Sequence, residues 1–194
     1  GIRKDVYHMN EGHAALISAK RLRDYVQEEK LSFNEALEVV RASTLYTVHT
    51  PVPAGHDYFE ESLIRKYMEP LVNKIGIPWY QFMDMGRDNP GTNEKFSMSV
   101  FALNTAQESN GVSKLHGLVS QEMFQPVWKG YFPQELHVGY VTNGVHLPTW
   151  ATSSVKRIYE NNLGEDFYQD QSNPEIWKKV YDISDEEIWG LRMH

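Results

Sequence analysis

The most constraining stretch of this sequence is a polar turn within residues 5–16, where an apolar segment that predicts a strand meets one that predicts a helix. Four polar side chains occupy the turn: His8, Asn10, Glu11 and His13. Polar residues at the carboxyl end of a strand are typical of ligand sites in α/β proteins. The same side chains could instead satisfy backbone groups at a helix start. The turn alone therefore predicts an α/β fold and leaves its function open.

Two further segments repeat this arrangement and predict a parallel sheet. Residues 44–48 are β-branched and aromatic, and they run into His49 and Thr50 after two predicted helices. Residues 136–142 predict another strand, which ends in a polar loop that begins at Asn143. Because the carboxyl ends of parallel strands lie at one edge of a sheet, these loops are expected to meet in one crevice. The fold class is therefore predicted to be helix-rich α/β.

Local signals predict where the helices begin and end. Ser32 and Glu35 have the spacing of a capping box, which predicts a helix start. A helix that begins near residue 59 is expected to break at Pro70, because proline lacks a backbone N–H.

A pair of polar residues is expected to interrupt the next helical stretch. Residues 97–107 and 112–123 predict two buried helices, and Asn110 and Gly111 lie between them. Gly111 is expected at positive φ, as glycine often is after a helix. The two residues could then add backbone N–H groups to the crevice.

Composition excludes several kinds of partner. The net charge is −7 without a basic block, which argues against a nucleic-acid ligand. The absence of cysteine excludes disulfides and thiolate chemistry. No apolar run approaches the roughly 20 residues that a membrane-spanning helix needs, so no membrane partner is expected.

The polar loops carry several histidines, but their spacing does not predict a metal site. His8 and His13 are five residues apart, about 140° around a helix, whereas a helical zinc pair uses the i, i+4 spacing of one face. The G-x-S-x-G, G-x-G-x-x-G and P-loop motifs are also absent. What remains is a crevice of neutral donors and acceptors, which is the chemistry that sugar hydroxyls match.

Four motifs resemble those of the α-glucan (glycogen, starch and maltodextrin) phosphorylases, in the same order and at similar spacing. They are H-M-N-E-G-H-A-A-L at 8–16, Y-T-V-H-T-P-V-P at 46–53, N-G-V-S-K-L-H at 110–116, and T-N-G-V at 142–145 with Trp150 after it. Departures from the muscle-type pattern, at Gly12, Val48 and 54–57, are similar to the shorter bacterial and archaeal enzymes. The chain is identified as a member of this family.

The resemblance implies a fold and a reaction. The family uses two Rossmann-like domains of the GT-B type and pyridoxal phosphate to cleave a terminal α-1,4-glucosyl bond with phosphate, releasing glucose 1-phosphate. Residues 1–145 would be the C-terminal portion of the N-terminal Rossmann-like domain. Residues 146–194 would form a helical crossover toward a C-terminal domain that holds the cofactor lysine. Both ends of the chain look interior, so an inactive fragment is expected.

The resemblance also assigns residues. It implies that His49 contacts the transferred glucose at its 6-hydroxyl during catalysis and that Asn143 holds the same group. The other residues expected to bind substrate are Asn10, Glu11, His13, Thr50, Asn110 and Val112, with Val112 lining the glucose pocket and Glu11 and His13 facing the acceptor sugar. Glu11 replaces the family's aspartate, and Ala54 replaces an acidic residue.

The expected ligands are an α-1,4-glucan or maltooligosaccharide together with phosphate or glucose 1-phosphate. The full-length enzyme is expected to be a cytoplasmic homo-oligomer. Two alternatives stay open from the sequence. One is a stand-alone α-glucan-binding module without catalysis, and the other is a GT-B glycosyltransferase that uses a sugar nucleotide.

Overall fold

The computed structural model describes residues 4–52 and 55–193, which divide into two compact units at the boundary between Asn143 and Gly144. The strands of the first unit are β1 (Tyr7–Asn10), β2 (Thr44–Thr47), β3 (Tyr58–Phe59), β4 (Phe96–Ser97), β5 (Glu108–Gly111) and β6 (Val138–Tyr140). Strands β1, β2, β5 and β6 form a parallel sheet in that order, and β3 pairs with β4 antiparallel. The parallel sheet confirms the helix-rich α/β class predicted from the sequence.

Helices connect the parallel strands, because such neighbours need crossover connections rather than tight hairpins. The helices of the first unit are α1 (Leu16–Gln27), α2 (Phe33–Ala42), α3 (Glu61–Ile75), α4 (Trp79–Asp84), α5 (Met98–Asn104) and α6 (Lys114–Phe124). The predicted capping box starts α2: the Ser32 N–H donates to the Glu35 carboxylate at 2.8 Å, and the Glu35 N–H donates to the Ser32 hydroxyl at 3.4 Å. This confirms the local prediction.

The core of the first unit includes strand β2 and the helices packed around it. Tyr46 on β2 and Leu22 on α1 are fully buried. Phe82, Phe96 and Phe101 pack together with ring centroids 5.4–5.5 Å apart. Burying an aromatic side chain contributes about 1.5–3 kcal/mol, so this cluster anchors α4 and α5.

The predicted interruption between two helices is present between α5 and α6, but the segment that contains Asn110 is a strand rather than a turn. Asn110 pairs with Thr47 of β2 on one side and with Gly139 of β6 on the other. Gly111 is not at positive φ. It is needed for close packing, because a Cβ there would lie 2.9 Å from the backbone nitrogen of Gly117 and from the ring of His116. Helix α6 therefore packs directly on β5.

The predicted break at Pro70 is also wrong, since α3 runs without interruption from Glu61 to Ile75. Pro70 is on the exposed side of the helix, and the chain leaves the helix only at Gly76, which has a φ of 81°. A buried stripe formed by Ile64, Met68, Val72 and Ile75 faces the core. Its burial offsets the one backbone hydrogen bond that proline cannot make.

The second unit is helical and has its own aromatic cluster. Its helices are α7 (Leu147–Trp150), α8 (Ser153–Leu163), α9 (Pro174–Lys178) and α10 (Asp185–Arg192). Phe167 is fully buried between Tyr159 and Trp177, with ring centroids 5.3 and 5.0 Å away. Helix α9 begins at Pro174, and α10 begins after its N-cap residue Ser184. In the described part of the chain, no helix combines the length and the apolar character that crossing a membrane requires.

Candidate functional site

The parallel sheet lines up the carboxyl ends of four strands in one row. Asn10 of β1 pairs with Thr47 of β2, Thr47 with Asn110 of β5, and Asn110 with Gly139 of β6. Because the strands are parallel, the loops that follow these residues leave the sheet at the same edge. This row is the base of the candidate site.

A chain of hydrogen bonds runs across this row. His8 Nε2 lies 2.7 Å from the Thr47 hydroxyl, which donates to Asn110 Oδ1 at 2.9 Å. The Asn110 amide in turn donates to the carbonyl of Gly111 at 2.9 Å. Asn110 is 8% exposed, so its position favours bracing the strand ends. Its expected contact with sugar stays a prediction.

Glu11 stands at the centre of the site with an unusual backbone. Its φ is 75° and its ψ is 166°, a region that is almost restricted to glycine and costs about 1–3 kcal/mol for other residues. Its carboxylate accepts hydrogen bonds from the His49 N–H at 2.9 Å and from the Thr50 hydroxyl at 3.0 Å. The Gly12 N–H at 3.3 Å and the Tyr46 hydroxyl at 3.4 Å complete the set. Glu11 thus ties the β1 loop to the β2 loop.

Two opposing effects act on the charge of Glu11. Burial by itself would raise the pKa of this carboxyl. Hydrogen bonds from His49, Thr50 and Gly12 stabilise the ionised form and outweigh burial, so the pKa lies below its ordinary value. The site therefore carries a fixed negative charge held by neutral donors.

His49 is exposed, and its ring is held from one side. Its Nε2 lies 2.5 Å from Asn10 Oδ1. An amide oxygen only accepts hydrogen bonds, so Nε2 carries the proton. In the neutral ring, Nδ1 is then an acceptor without a partner among the described residues, which suits a hydroxyl donor from a ligand. Asn10 therefore fixes both the tautomer and the orientation of His49.

Val112 and Asn143 lie at the other end of the row, where the chains that follow β5 and β6 stay together. The Asn143 N–H donates to the Val112 carbonyl at 3.0 Å. The Val112 N–H donates to His116 Nδ1 at 3.0 Å. Val112 is half-buried and the Asn143 side chain is exposed. The structure thus brings these two predicted residues together.

His13 stands apart from these hydrogen bonds. It lies in a 3₁₀ turn, Gly12–Ala14, that precedes α1, and its side chain is exposed. Its predicted contact with the acceptor sugar stays a prediction. The predicted effect of Ala54 falls outside the described residues.

Three buried polar residues behind the site were not singled out by the sequence. The hydroxyl of Ser99 lies 3.2 Å from the Tyr46 hydroxyl and 2.6 Å from His56 Nδ1. Tyr46, Ser99 and His56, hereafter the buried polar layer, belong to a strand, a helix and a loop, and Ser99 is 53 and 43 residues away from the other two. Gly12, a departure from the muscle-type pattern, is the available signal, because a Cβ there would lie 2.9 Å from the Ser99 hydroxyl.

The residues that the structure describes do not form a metal site, and their lysines do not suit a covalent bond to a cofactor. Among residues 4–52 and 55–193, no group of three or more His, Asp or Glu side chains is placed to hold a metal ion. Every described lysine is exposed except the half-buried Lys156. A lysine that holds pyridoxal phosphate would need a sheltered pocket, so these residues do not fit that role.

Comparison with known proteins identifies the family. A family model described as carbohydrate phosphorylase matches residues 2–187. The chain belongs to the carbohydrate phosphorylase family. Its relatives include a glycogen phosphorylase of Mycobacterium tuberculosis (strain ATCC 25618 / H37Rv), which is 38% identical over 97% of this chain. A maltodextrin phosphorylase of Thermococcus litoralis is 38% identical over the whole chain.

The family match concerns one part of these relatives. The chain spans 22% of the length of the Mycobacterium and Thermococcus proteins, and 27% of a glycogen phosphorylase of Aquifex aeolicus that is 31% identical. The chain therefore matches one portion of each of these relatives.

Proposed function

We propose that this chain forms one wall of the glucosyl site of an α-1,4-glucan phosphorylase. The reaction transfers the terminal glucosyl unit of a glucan or maltooligosaccharide to phosphate and releases glucose 1-phosphate. The observation that carries the proposal is the row of strand ends, where Asn10 and Glu11 fix His49 in a chain that belongs to the phosphorylase family. The relatives named as glycogen and maltodextrin phosphorylases support the substrate class.

Each residue at the sheet edge has a proposed task in this site. His49 accepts a hydrogen bond from the glucose 6-hydroxyl through the Nδ1 that Asn10 leaves free. Asn143 holds the same hydroxyl, and Val112 lines the sugar pocket. These contacts hold the glucosyl unit still while the C1–oxygen bond to the glucan breaks and a phosphate oxygen bonds to C1. Selection for the 6-hydroxyl follows, because a sugar without it leaves polar groups unpaired.

The remaining predicted residues act around this pocket. Asn10 orients His49, and Glu11 and Thr50 join the loops beside it. His13 faces the acceptor sugar, and Asn110 braces the base of the pocket.

The finer architecture is also part of the proposal. Residues 1–145 correspond to a portion of the N-terminal Rossmann-like domain of a GT-B enzyme, and 146–194 to a helical crossover. The full-length protein acts as a homo-oligomer in the cytoplasm. Pyridoxal phosphate, which the family uses, is not assigned to any residue of this chain, since its described lysines do not fit that role.

Replacing His49 tests the proposal directly in the full-length protein. We expect His49→Ala to lower kcat/KM for maltooligosaccharide phosphorolysis by about 10² or more, because a contact that is strongest in the transition state is lost. The exposed His137 is a matched control, and His137→Ala should leave kcat/KM within about twofold. Equal rates for the two variants would remove His49 from the site.

A further inference from the structure

The buried polar layer connects directly to Glu11. The Tyr46 hydroxyl lies between Glu11 Oε1, 3.4 Å away, and the Ser99 hydroxyl, 3.2 Å away. Ser99 then contacts His56 Nδ1 at 2.6 Å. Tyr46, Ser99 and His56 are 0%, 1% and 8% exposed. The hydrogen bonds that link these three side chains are costly to break, because an unpaired polar atom in the interior costs about 1–3 kcal/mol. His56 Nε2 is itself buried without a partner among the described residues, so the layer holds this ring through Nδ1.

Packing leaves this layer little freedom to move. Gly12 lies against Ser99, where even a Cβ would come within 2.9 Å of the hydroxyl and 3.3 Å of the backbone nitrogen. The ring of Phe124 meets His56 edge-on, with centroids 5.4 Å apart. The layer therefore links β2, α5 and the 55–57 loop under the strained residue Glu11.

Because the backbone of Glu11 is strained, the contacts of the buried polar layer affect the position of the residues at the site. A positive φ with extended ψ persists only where surrounding contacts hold it. Its carboxylate contacts the Tyr46 hydroxyl on one side and the His49 N–H and Thr50 hydroxyl on the other. Losing the contacts on one side would let Glu11 relax, and the backbone at His49 would move with it.

We propose that Tyr46, Ser99 and His56 are positioning residues that fix Glu11 and, through it, the ring of His49 against the glucosyl 6-hydroxyl. The inference rests on the proposed function, because it concerns how His49 is held. It assigns specificity to residues that contact no sugar. An error in His49 placement of about 1 Å can cost on the order of 10² in rate, so small shifts in the layer reach the chemistry.

Discrimination at the 6-hydroxyl provides the test. The full-length protein is assayed in the direction of glucan synthesis with glucose 1-phosphate and with 6-deoxyglucose 1-phosphate. We expect Ser99→Ala and Tyr46→Phe each to reduce the ratio of kcat/KM for the two sugars by about tenfold, as expected when one well-placed hydrogen bond is lost. A purely structural role would lower both rates together and leave the ratio unchanged.

The matched control is Ser120→Ala, since Ser120 is a buried serine on α6 whose hydroxyl has no hydrogen-bond partner among the described residues. It should keep the wild-type ratio, and thermal melting confirms that each variant is folded. Should Ser99→Ala fail to fold, Tyr46→Phe carries the test, because it removes only the hydroxyl.

The outcomes separate the inference from the proposed function. The positioning role is overturned if the wild type, Ser99→Ala and Tyr46→Phe all distinguish glucose 1-phosphate from 6-deoxyglucose 1-phosphate equally well. That result would leave the proposed function standing. Two results would overturn both the positioning role and the proposed function. One is a wild-type protein without phosphorylase activity, and the other is a His49→Ala variant that distinguishes the two sugars as well as the wild type does.

Discussion

Two glutamates in the first unit are each held by several donors, yet the donors differ in kind. Glu61 accepts hydrogen bonds from Arg65 at 2.8 Å, from the Trp79 indole at 2.9 Å and from Arg87 at 2.9 Å. Among the residues that the structure describes, Glu11 accepts only from backbone N–H groups and hydroxyls. No lysine or arginine of the described chain pairs with Glu11.

The difference separates a structural brace from a site. The pKa of Glu61 is lowered first by the hydrogen bond from Arg65, and its charge is balanced within the α3–α4 region. Glu11 keeps its charge uncompensated beside exposed polar groups and on a strained backbone. Strain and unbalanced charge are costs that a brace has no reason to carry, and they are typical of functional sites.

The largest expected contrast is in activity. We expect Glu11→Gln to lower kcat/KM of the full-length protein by about 10–100-fold, because an amide cannot accept all the hydrogen bonds that position His49 and Thr50. Glu61→Gln should change kcat/KM by less than about twofold, since its partners lie in the scaffold. Steady-state phosphorolysis kinetics at a temperature where both variants are folded would check this. Equal losses of kcat/KM in Glu11→Gln and Glu61→Gln would contradict the distinction between a structural Glu61 and a functional Glu11.

The next contrast is in stability, where the larger loss is expected at Glu61. We expect Glu61→Ala to lower the free energy of unfolding by about 2 kcal/mol, because the buried Arg87 loses one of its two carboxylate partners. The control is Glu60→Ala, which removes only a pair with Lys95 in which both side chains are more than half exposed. It should cost less than about 0.5 kcal/mol. Urea unfolding curves measure both, and similar losses would contradict the brace.

The smallest expected effect is on the stability of the fold at acidic pH, and the first part of it depends on His56. Burial lowers the pKa of this ring below its ordinary 6.5, against the opposing charges of Glu11 and Asp57. The unfolded chain therefore takes up a proton before the folded chain does, so stability falls as pH drops below about 6.5 and levels off below the folded-state pKa. Glu11 and Glu61 affect stability at lower pH. Because both have lowered pKa values, their ionised forms stabilise the fold, and this stabilisation is lost as pH falls below about 4.5.

Melting temperature measured against pH would resolve these two ranges. We expect His56→Gln to flatten the decline just below pH 6.5 and to leave the decline below pH 4.5 in place. An unchanged decline in the upper range would show that His56 is not a buried neutral group.

Local sequence patterns predicted much of the scaffold because their physics is short-range. The capping box at Ser32 involves a partner three residues away, so the sequence shows it directly. The strand composition of 44–48 and the polar residues after it predicted where β2 ends. The same reasoning failed at Pro70, where a buried helix face outweighed a local breaker.

Strand β5 shows what local patterns miss. The residues Glu108 to Gly111 have little strand propensity of their own. They are extended because β2 and β6 offer hydrogen-bonding edges on both sides, and because glycine lets α6 approach closely. Strands β2 and β6 both lie more than 25 residues away from β5 along the chain, so no short window of sequence contains the two edges that make it a strand.

The sequence by itself determined the α/β class, the polar ends of β1, β2 and β6, and membership in the carbohydrate phosphorylase family through its ordered motifs. Only the tertiary structure decided that Asn110 lies inside the sheet, that Glu11 is strained and bound to the His49 loop, and that Ser99 and His56 contact each other in the interior. The physical reason is the sequence separation over which each kind of interaction acts. Caps, periodicity and turns act over a few residues, whereas a buried hydrogen-bond network is formed by side chains that only folding brings together.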